Sequence, residues 1–160
     1  MLGPAVITAT SGDGTISSEA ATITTVAPGI FSANATSRDI AAAQVLRIKA
    51  DGSAVYESVF QYDSVNKLYI PAPIDVGPET DQLILVLFGT GIRFRSALSS
   101  VTTTIGGEFV ETLYAGPSPD YIGLDQCNVR LPRRFAGRGL LNVEMTVDGN
   151  RTNTVTIQMK

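Results

Sequence analysis

The stretch DQLILVLFGTGIR, residues 81–93, decides the fold of this chain. Its centre, Leu83–Phe88, is a run of six large apolar residues with Gly77-Pro78 before it and Gly89-Thr90-Gly91 after it. A short apolar run closed by glycines predicts a strand that is buried on both faces. The run is much too short to span a bilayer. We expect the other elements to pack around this strand.

Short alternating segments account for most of the remaining chain. In such segments the side chains of one kind face a core and those of the other kind face solvent. The predicted strands cover residues 5–10, 20–26, 44–49, 55–62, 67–70, 101–105, 109–115, 124–131, 141–147 and 153–159. From Asp81 onward, about seven short strands with turn signals roughly every eight to twelve residues are typical of an antiparallel β-sandwich.

Two segments in the first half are harder to interpret. Residues 27–37 contain Pro28-Gly29 and predict a loop that Ile30-Phe31 anchors to a core. Residues 40–49 admit two interpretations. Ala41–Gln44 has helical propensity, whereas Val45–Lys49 alternates and leads into an Asp51-Gly52 turn. We favour the strand.

The first and the last hairpin resemble each other. Residues 4–26 and 139–159 each contain a strand, a glycine turn and a returning strand. They are either copies of one hairpin or two generic hairpins that are alike by chance. An isolated hairpin is only marginally stable, and its open edges pair readily. We therefore expect residues 1–26 to extend a sheet built by residues 38–76, or else to form a strand-edge dimer with another copy, and we favour the first.

Composition argues against several classes of function. The net charge of −3 is unlike that of a nucleic-acid-binding module of this size. The chain has no histidine, so it lacks the base of a Ser-His-Asp triad and the commonest transition-metal ligand. The single cysteine, Cys127, has no intrachain disulfide partner. Its alternation with Gln126 and Asn128 predicts a buried strand residue rather than a nucleophile.

No motif assigns a catalytic, cofactor or metal site. Gly89-Thr90-Gly91 resembles the start of a dinucleotide fingerprint, but Phe94 replaces the third glycine and no helix is predicted after it. We interpret these glycines as structural. The chain carries no calcium-loop motif. Paired carboxylates of a glycosidase are a weaker alternative, for which the candidates are Asp120 with Asp125, or the group Asp75, Glu79 and Asp81.

The best candidate for a ligand loop is the region 114–125. Its candidate residues are Tyr114, Asp120, Tyr121 and Asp125, around a segment rich in glycine and proline. The tyrosines offer a sugar platform, although anchoring of the loop is the simpler interpretation. Arginines between residues 93 and 138 suggest either a patch for acidic polysaccharide or pairing with Glu108, Glu111 and Asp125, which we favour. These arginines are Arg93, Arg95, Arg130, Arg133, Arg134 and Arg138.

Several motifs carry a resemblance to known families. LFGTGIR (87–93), VTTTIGGEFVETLYAGP (101–117), LDQCNVRLP (124–132) and LNVEMTVDGNRTNTVTI (141–157) resemble an IPT/TIG-type immunoglobulin-like domain over residues 80–160. VAPGIFSANA, AAAQVLR, PAPIDVGPETDQLILVLFGTGIR and YIGLDQCNVRLPRRFAGRG are similar to a paralogous family of C-terminal domains in secreted acidobacterial proteins, typified by Solibacter. The resemblance implies no activity. It implies that the chain ends a multidomain extracellular protein and that residues 4–26 close a preceding immunoglobulin-like repeat.

The sequence therefore predicts an all-β protein. We expect an immunoglobulin-like antiparallel β-sandwich at residues 79–160 and a smaller β-rich unit at residues 1–78. The expected function is that of a non-enzymatic structural or adhesion module at the end of a larger secreted protein, and the alternative is a carbohydrate-binding module. Expected partners are neighbouring domains of that protein and cell-surface or matrix polysaccharide, without nucleic acid or membrane insertion. The expected location is extracellular or at the cell surface, with the export signal upstream of these residues.

Overall fold

The computed structural model describes residues 2–34 and 40–160, and within these ranges the regular structure is β-strand with two short 3-10 turns. The strands are β1 (Gly3–Thr10), β2 (Ile16–Ile23), β3 (Gly29–Ile30), β4 (Ala43–Ile48), β5 (Ala54–Ser58), β6 (Phe60–Asp63), β7 (Leu68–Pro71), β8 (Gln82–Thr90), β9 (Val101–Ile105), β10 (Glu108–Val110), β11 (Thr112–Pro117), β12 (Asp125–Arg130), β13 (Gly139–Val147), β14 (Asn150–Arg151) and β15 (Val155–Met159). The 3-10 turns are Leu98–Ser100 and Arg133–Phe135. The prediction of an all-β, sandwich-like fold is confirmed.

The apolar run of the sequence forms the central strand of the larger sheet. This six-stranded sheet has the order β11-β12-β8-β4-β5, and β3 also pairs with β8. Strand β8 is antiparallel to both β12 and β4. The strand interpretation of residues 44–49 is confirmed, because β4 hydrogen-bonds along β8. Tertiary pairing therefore outweighs the helical propensity of Ala41–Gln44.

The second sheet lies on the other side of the core. It has the order β10-β9-β13-β14, and β15 also pairs with β13. Alternate residues of β13 and β15 are buried while their neighbours are not. On β8 the buried alternate residues are Leu83, Leu85 and Leu87. These side chains belong to one continuous hydrophobic cluster with Val143, Met145 and Ile157 of the second sheet, which makes the two sheets the layers of a sandwich.

One part of the prediction for β8 needs correction. Its outer face is not fully buried, since Ile84 and Phe88 are only half-buried and Val86 alone is buried there. We call this side of the six-stranded sheet the outer face. Because alternate residues of a strand point in opposite directions, the three leucines on the inner side carry the core.

The outer edge of β15 is covered by connecting segments. Ile40 and Ile74 form isolated parallel bridges with Thr156 and Met159. The backbone amide of Ile74 donates to the carbonyl of Gln158 at 2.8 Å, and the amide of Lys160 donates to the carbonyl of Ile74 at 2.8 Å. Covering an edge strand in this way blocks unwanted sheet extension.

Strands from both sides of residue 78 share the larger sheet. β4 and β5 precede that position, whereas β8, β11 and β12 follow it. The division into two domains, residues 1–78 and 79–160, stays a prediction. In the structure, the pairing of β4 with β8 joins the two parts through main-chain hydrogen bonds.

The expected docking of residues 1–26 onto residues 38–76 is wrong for the described residues. There, β1 and β2 pair with each other and form a separate two-stranded sheet. None of their residues is buried. In the structure, β4 and β5 belong to the larger sheet through β8, and β6 pairs with β7, so the described part of residues 38–76 builds no common sheet for the hairpin to extend.

Gly89 and Gly91 leave room for a neighbouring segment of backbone. A Cβ on Gly89 would lie 2.2 Å from the carbonyl oxygen of Gly29, and one on Gly91 would lie 2.0 Å from that of Ala27. Gly91 also has a φ of +72°, which side-chain-bearing residues rarely adopt. These glycines let residues 27–30 pair against the end of β8, which explains why Gly29–Ile30 is a strand instead of the predicted loop.

Substitution of Gly89 tests this close approach. We expect Gly89→Ala to lower the free energy of unfolding by about 2 kcal/mol, because the new methyl group meets backbone that cannot rotate away. Urea denaturation measures the change. Gly12→Ala is the control, since nothing lies within 4 Å of that position, and its effect should stay within about 0.5 kcal/mol. Equal stability of the two variants would contradict the close approach.

Candidate functional site

A groove lies at the β11–β12 side of the outer face. It has a volume of about 410 Å³ and is lined by Tyr114, Pro117, Ser118, Pro119, Gln126 and Asn128. Gln126 and Asn128 are two residues apart on β12 and therefore point to the same side of the sheet. Their neighbours Asp125, Cys127 and Val129 point into the core and are fully buried. The groove thus lies on one side of β12, and the side chains on the other side of β12 pack in the core of the sandwich.

Hydrogen bonds fix the amide side chains of the groove. The hydroxyl of Ser118 donates to Oε1 of Gln126 at 3.4 Å, and Nε2 of Gln126 donates to Oδ1 of Asn128 at 2.8 Å. Ser118 and Gln126 are each only 9% exposed. The chain of donors ends at Nδ2 of Asn128, for which the described part of the chain supplies no acceptor. This end can donate to a ligand.

A β-bulge turns Tyr114 toward the groove. Thr112 lies opposite Val129, whereas Tyr114 lies opposite Asn128, so the register shifts between them. Without the shift, Tyr114 would share the inner side with Thr112, whose hydroxyl is 2.9 Å from that of Thr103 in the core. The bulge therefore places Tyr114 on the outer face.

The position of Tyr114 is held from two sides. Its hydroxyl donates to the carbonyl oxygen of Pro117 at 2.6 Å. The same hydroxyl lies 3.0 Å from where a Cβ of Gly116 would be, so the ring end occupies space that any larger residue would take. Gly116 and Pro117, predicted as loop, are the last residues of β11. The tyrosine is consequently a fixed wall of the groove.

Asp125 points away from the predicted ligand loop. It is 1% exposed. Its Oδ2 accepts from the backbone amides of Ile92 and Arg93 at 2.7 and 3.1 Å, and its Oδ1 accepts from Nε of Arg93 at 2.6 Å. Both oxygens are thus engaged inside the protein, and the carboxylate fixes the turn that follows β8.

The remaining candidates of the 114–125 loop do not converge with Asp125. Asp120 and Tyr121 are both exposed in the connection between β11 and β12. The structure brings Tyr114 together with Gln126 and Asn128, which the sequence reasoning did not select. Their alternation with Cys127 was a usable signal, because it puts two amides on the face opposite a buried residue.

The other acidic group is also divided among separate contacts. Asp81 accepts from Nη1 of Arg47 at 3.1 Å. Asp75 accepts from the amide of Gly77 and from Lys160, and both contacts, the amide first, lower the pKa of the Asp75 carboxyl. Glu79 is exposed. Within residues 2–34 and 40–160, no three His, Cys, Asp or Glu side chains are grouped as a metal site requires.

Four of the six arginines pair with the carboxylates that we favoured from the sequence. Arg93 pairs with Asp125, Arg130 with Glu111 at 2.6 Å, and Arg134 and Arg138 both pair with Glu108. Hydrogen bonds from Arg134 and then from Arg138 lower the pKa of the Glu108 carboxyl. The guanidinium of Arg133 instead donates to the carbonyls of Val76, Gly77 and Pro78, and Arg95 lies half-buried beside Gly116. Most of these cations are therefore engaged within the protein.

An aromatic cluster lies on the separate β6–β7 hairpin. Tyr69 packs edge-to-face on both Phe60 and Tyr62, with ring centroids 5.4 Å apart in each pair. The interplanar angles of 85° and 65° show that the rings pack on one another and do not form a flat platform. The hollow beside Tyr69 is lined mainly by apolar side chains, among them Ile40, Leu68 and Leu140.

Comparison of the chain with family models, with curated proteins and with solved structures finds no match. What the groove can bind is therefore inferred from the residues that line it. Across the described residues, no helix has the length and apolar character needed to cross a membrane.

Replacement of Asp125 and of Asp120 tests which of the two carboxylates stabilises the fold. We expect Asp125→Asn to lower the free energy of unfolding by about 2 kcal/mol, because the amide group turns a donor toward buried donors and leaves Arg93 unpaired. Asp120→Asn is the matched control and should change stability by less than about 0.5 kcal/mol. Thermal and urea unfolding give both values. If Asp125→Asn left the free energy of unfolding unchanged, the buried contacts of Asp125 would not be needed for stability.

Cys127 should behave as a structural thiol. It is fully buried in β12, and burial raises its pKa to about 12. We expect no reaction with a disulfide reagent at neutral pH in the native protein, and reaction of one thiol after unfolding in guanidinium, since the thiolate is the reactive form. Fast reaction of the native protein would overturn this assignment.

Proposed function

We propose that this chain is a non-enzymatic extracellular module with a structural and adhesive role in a larger secreted protein. Its N-terminal hairpin joins the sheet of a neighbouring domain of that protein. The observation that carries this proposal is the separate β1–β2 sheet, whose apolar side chains Val6 and Ile7 are 70% and 63% exposed. The extracellular location rests on the sequence resemblance.

The exposed hairpin lacks the features that protect free edges. Natural edge strands carry lysine, internal proline, bulges or inward-pointing charges that discourage pairing. Strand β1 is uncharged and has proline only at its second position, and its pairing with β2 runs from Gly3 to Thr10 without a register shift. Such an edge favours addition to another strand.

The C-terminal hairpin indicates which kind of partner fits. Gly3 lies opposite Ile23, and Gly139 lies opposite Met159, with the same separation in sequence. Both glycines have positive φ angles, +119° and +71°. In the C-terminal hairpin, one face packs on the opposite sheet of the sandwich. By analogy, another β-sheet is the natural cover for β1–β2.

The segment after the hairpin is fastened to the centre of the sandwich. The amide of Ala27 donates to the carbonyl of Gly91 at 3.2 Å, and the amide of Phe31 donates to that of Phe88 at 2.9 Å. The side chain of Asn153 bonds both the amide and the carbonyl of Ile30 at 2.9 Å. The segment that follows the hairpin is therefore attached to the end of β8 and to Asn153, just before β15, which suits a structural linker.

The loop carboxylates give no support to a catalytic alternative. Glycoside hydrolysis needs two carboxyl groups that face one substrate. Asp125 is enclosed by Ile92 and Arg93, whereas Asp120 is exposed. A structural role for this region agrees with that separation.

Self-association of the isolated chain tests the adhesive edge. When the neighbouring domain is absent, we expect the hairpins of two copies to pair at high protein concentration, and we expect Ile7→Lys to weaken this association at least tenfold because lysine opposes edge pairing. Sedimentation equilibrium over a wide concentration range measures the association constant.

Val65→Lys is the matched control for that experiment. It makes the same change of charge at a position that is 85% exposed in the β6–β7 turn. Its association should equal that of the unsubstituted chain. A protein that stays monomeric at every concentration, or equal association of both variants, would overturn the adhesive role of the hairpin.

A further inference from the structure

We infer that the outer face of the six-stranded sheet binds a neutral polysaccharide along one cross-strand row of residues. The row follows the observed register: Tyr114 lies opposite Asn128, Asn128 opposite Val86, Val86 opposite Gln44, and Gln44 opposite Ser58. We call these five residues the amide row. With neighbouring strands about 4.8 Å apart, it extends for about 19 Å across five strands.

The amide row combines the two kinds of contact that a sugar ring needs. A pyranose presents apolar C–H faces and a rim of hydroxyl groups, so its site needs an apolar surface and a few fixed polar groups. The half-buried side chains of Ile84 and Phe88 supply the apolar surface on this face of β8, and Val86 lies buried between them at 3% exposure. Asn128 and Gln44 flank that surface with amides, each of which donates and accepts hydrogen bonds.

The polar groups on one side of the row are already oriented. Gln126 lies opposite Phe88 and holds Asn128 through the 2.8 Å hydrogen bond. Tyr114 is held by its bond to Pro117. A ligand that binds here orders few side chains, which lowers the entropic cost of binding. The groove of about 410 Å³ lies at this end of the row.

The amide row carries no charged side chain, which favours a neutral ligand. None of the five residues of the row is an aspartate, glutamate, lysine, arginine or histidine. The closest arginine along β12, Arg130, is paired with Glu111 at 2.6 Å. An acidic polysaccharide or a nucleic acid would meet no cationic side chain within the row, and the guanidinium of Arg95 lies beside Gly116 at its β11 end.

The outer face of the other sheet has a different character. There a hollow is lined by Thr102, Thr104 and Thr146, with Glu144 and Arg151 paired at 2.8 Å. A side chain bond from Thr154 and one from Arg151 lower the pKa of the Glu144 carboxyl. This face carries threonine hydroxyls and an ion pair, with Phe109 exposed beside them, and it provides a control surface within the same molecule.

The test is binding of soluble polysaccharides by the intact chain. Calorimetry and affinity electrophoresis are run with neutral glucans, xylans and mannans and with an acidic polygalacturonate. We expect saturable binding to at least one neutral polymer, weakened at least tenfold by Gln44→Ala and by Asn128→Ala. Thr104→Ala, on the control surface, should bind like the unsubstituted chain. Thermal melting shows that each variant is folded.

Mapping by NMR locates the site independently of the variants. Titration with an oligosaccharide of the bound polymer should shift the side-chain amide signals of Asn128, Gln126 and Gln44. Shifts confined to Tyr62 and Tyr69 would overturn the assignment to the outer face. Binding of the acidic polymer alone, binding of none, or equal affinity of all variants would overturn it as well.

The inference stands apart from the proposed role of the N-terminal hairpin. Ile7→Lys should leave polysaccharide binding unchanged, because Ile7 belongs to the separate β1–β2 sheet. Loss of self-association in that variant with retained sugar binding is therefore the expected combination. If the sugar-binding variants also altered association, the two surfaces would not be independent and the assignment to the amide row would fail.

Discussion

Burial of three leucines on one side of β8 is the interaction on which the remaining structure depends. Leu83, Leu85 and Leu87 are at most 3% exposed and share a cluster with the inner side chains of the second sheet. Burying a leucine contributes about 2 kcal/mol. Because β8 is paired on both sides, these contacts also position β4 and β12, and through β12 the bulged strand β11.

Buried charges then fix the loops at the ends of this strand. Before β8, Arg47 is 7% exposed and donates to Glu57, Asp81 and the carbonyl of Asp75. The hydrogen bonds that Arg47 donates to Glu57, and then the one to Asp81, raise the pKa of its guanidinium, whereas burial lowers it. After β8, Asp125 has the equivalent task. Buried pairs of this kind add specificity more than net stability, since desolvation offsets much of their attraction.

The two outer surfaces suit different tasks. The N-terminal hairpin exposes main-chain edges and aliphatic side chains, which are suited to another β-sheet. The outer face of the six-stranded sheet has its main chain already paired and exposes amides around an apolar strip, which are suited to a hydroxyl-rich ligand. A linker that also holds a polysaccharide would combine both properties in one module.

The sequence by itself determined the β-sandwich and nearly all of its strands, because period-two alternation and glycine turns are local signals. It also indicated that Cys127 is buried. Only the tertiary structure decided that Asp125 faces inward, that Tyr114 faces outward after a bulge, and that β1–β2 pairs with no other described strand. These outcomes depend on which distant strands meet and in which register, and a register shift of one residue exchanges the two faces of a strand without altering its local pattern.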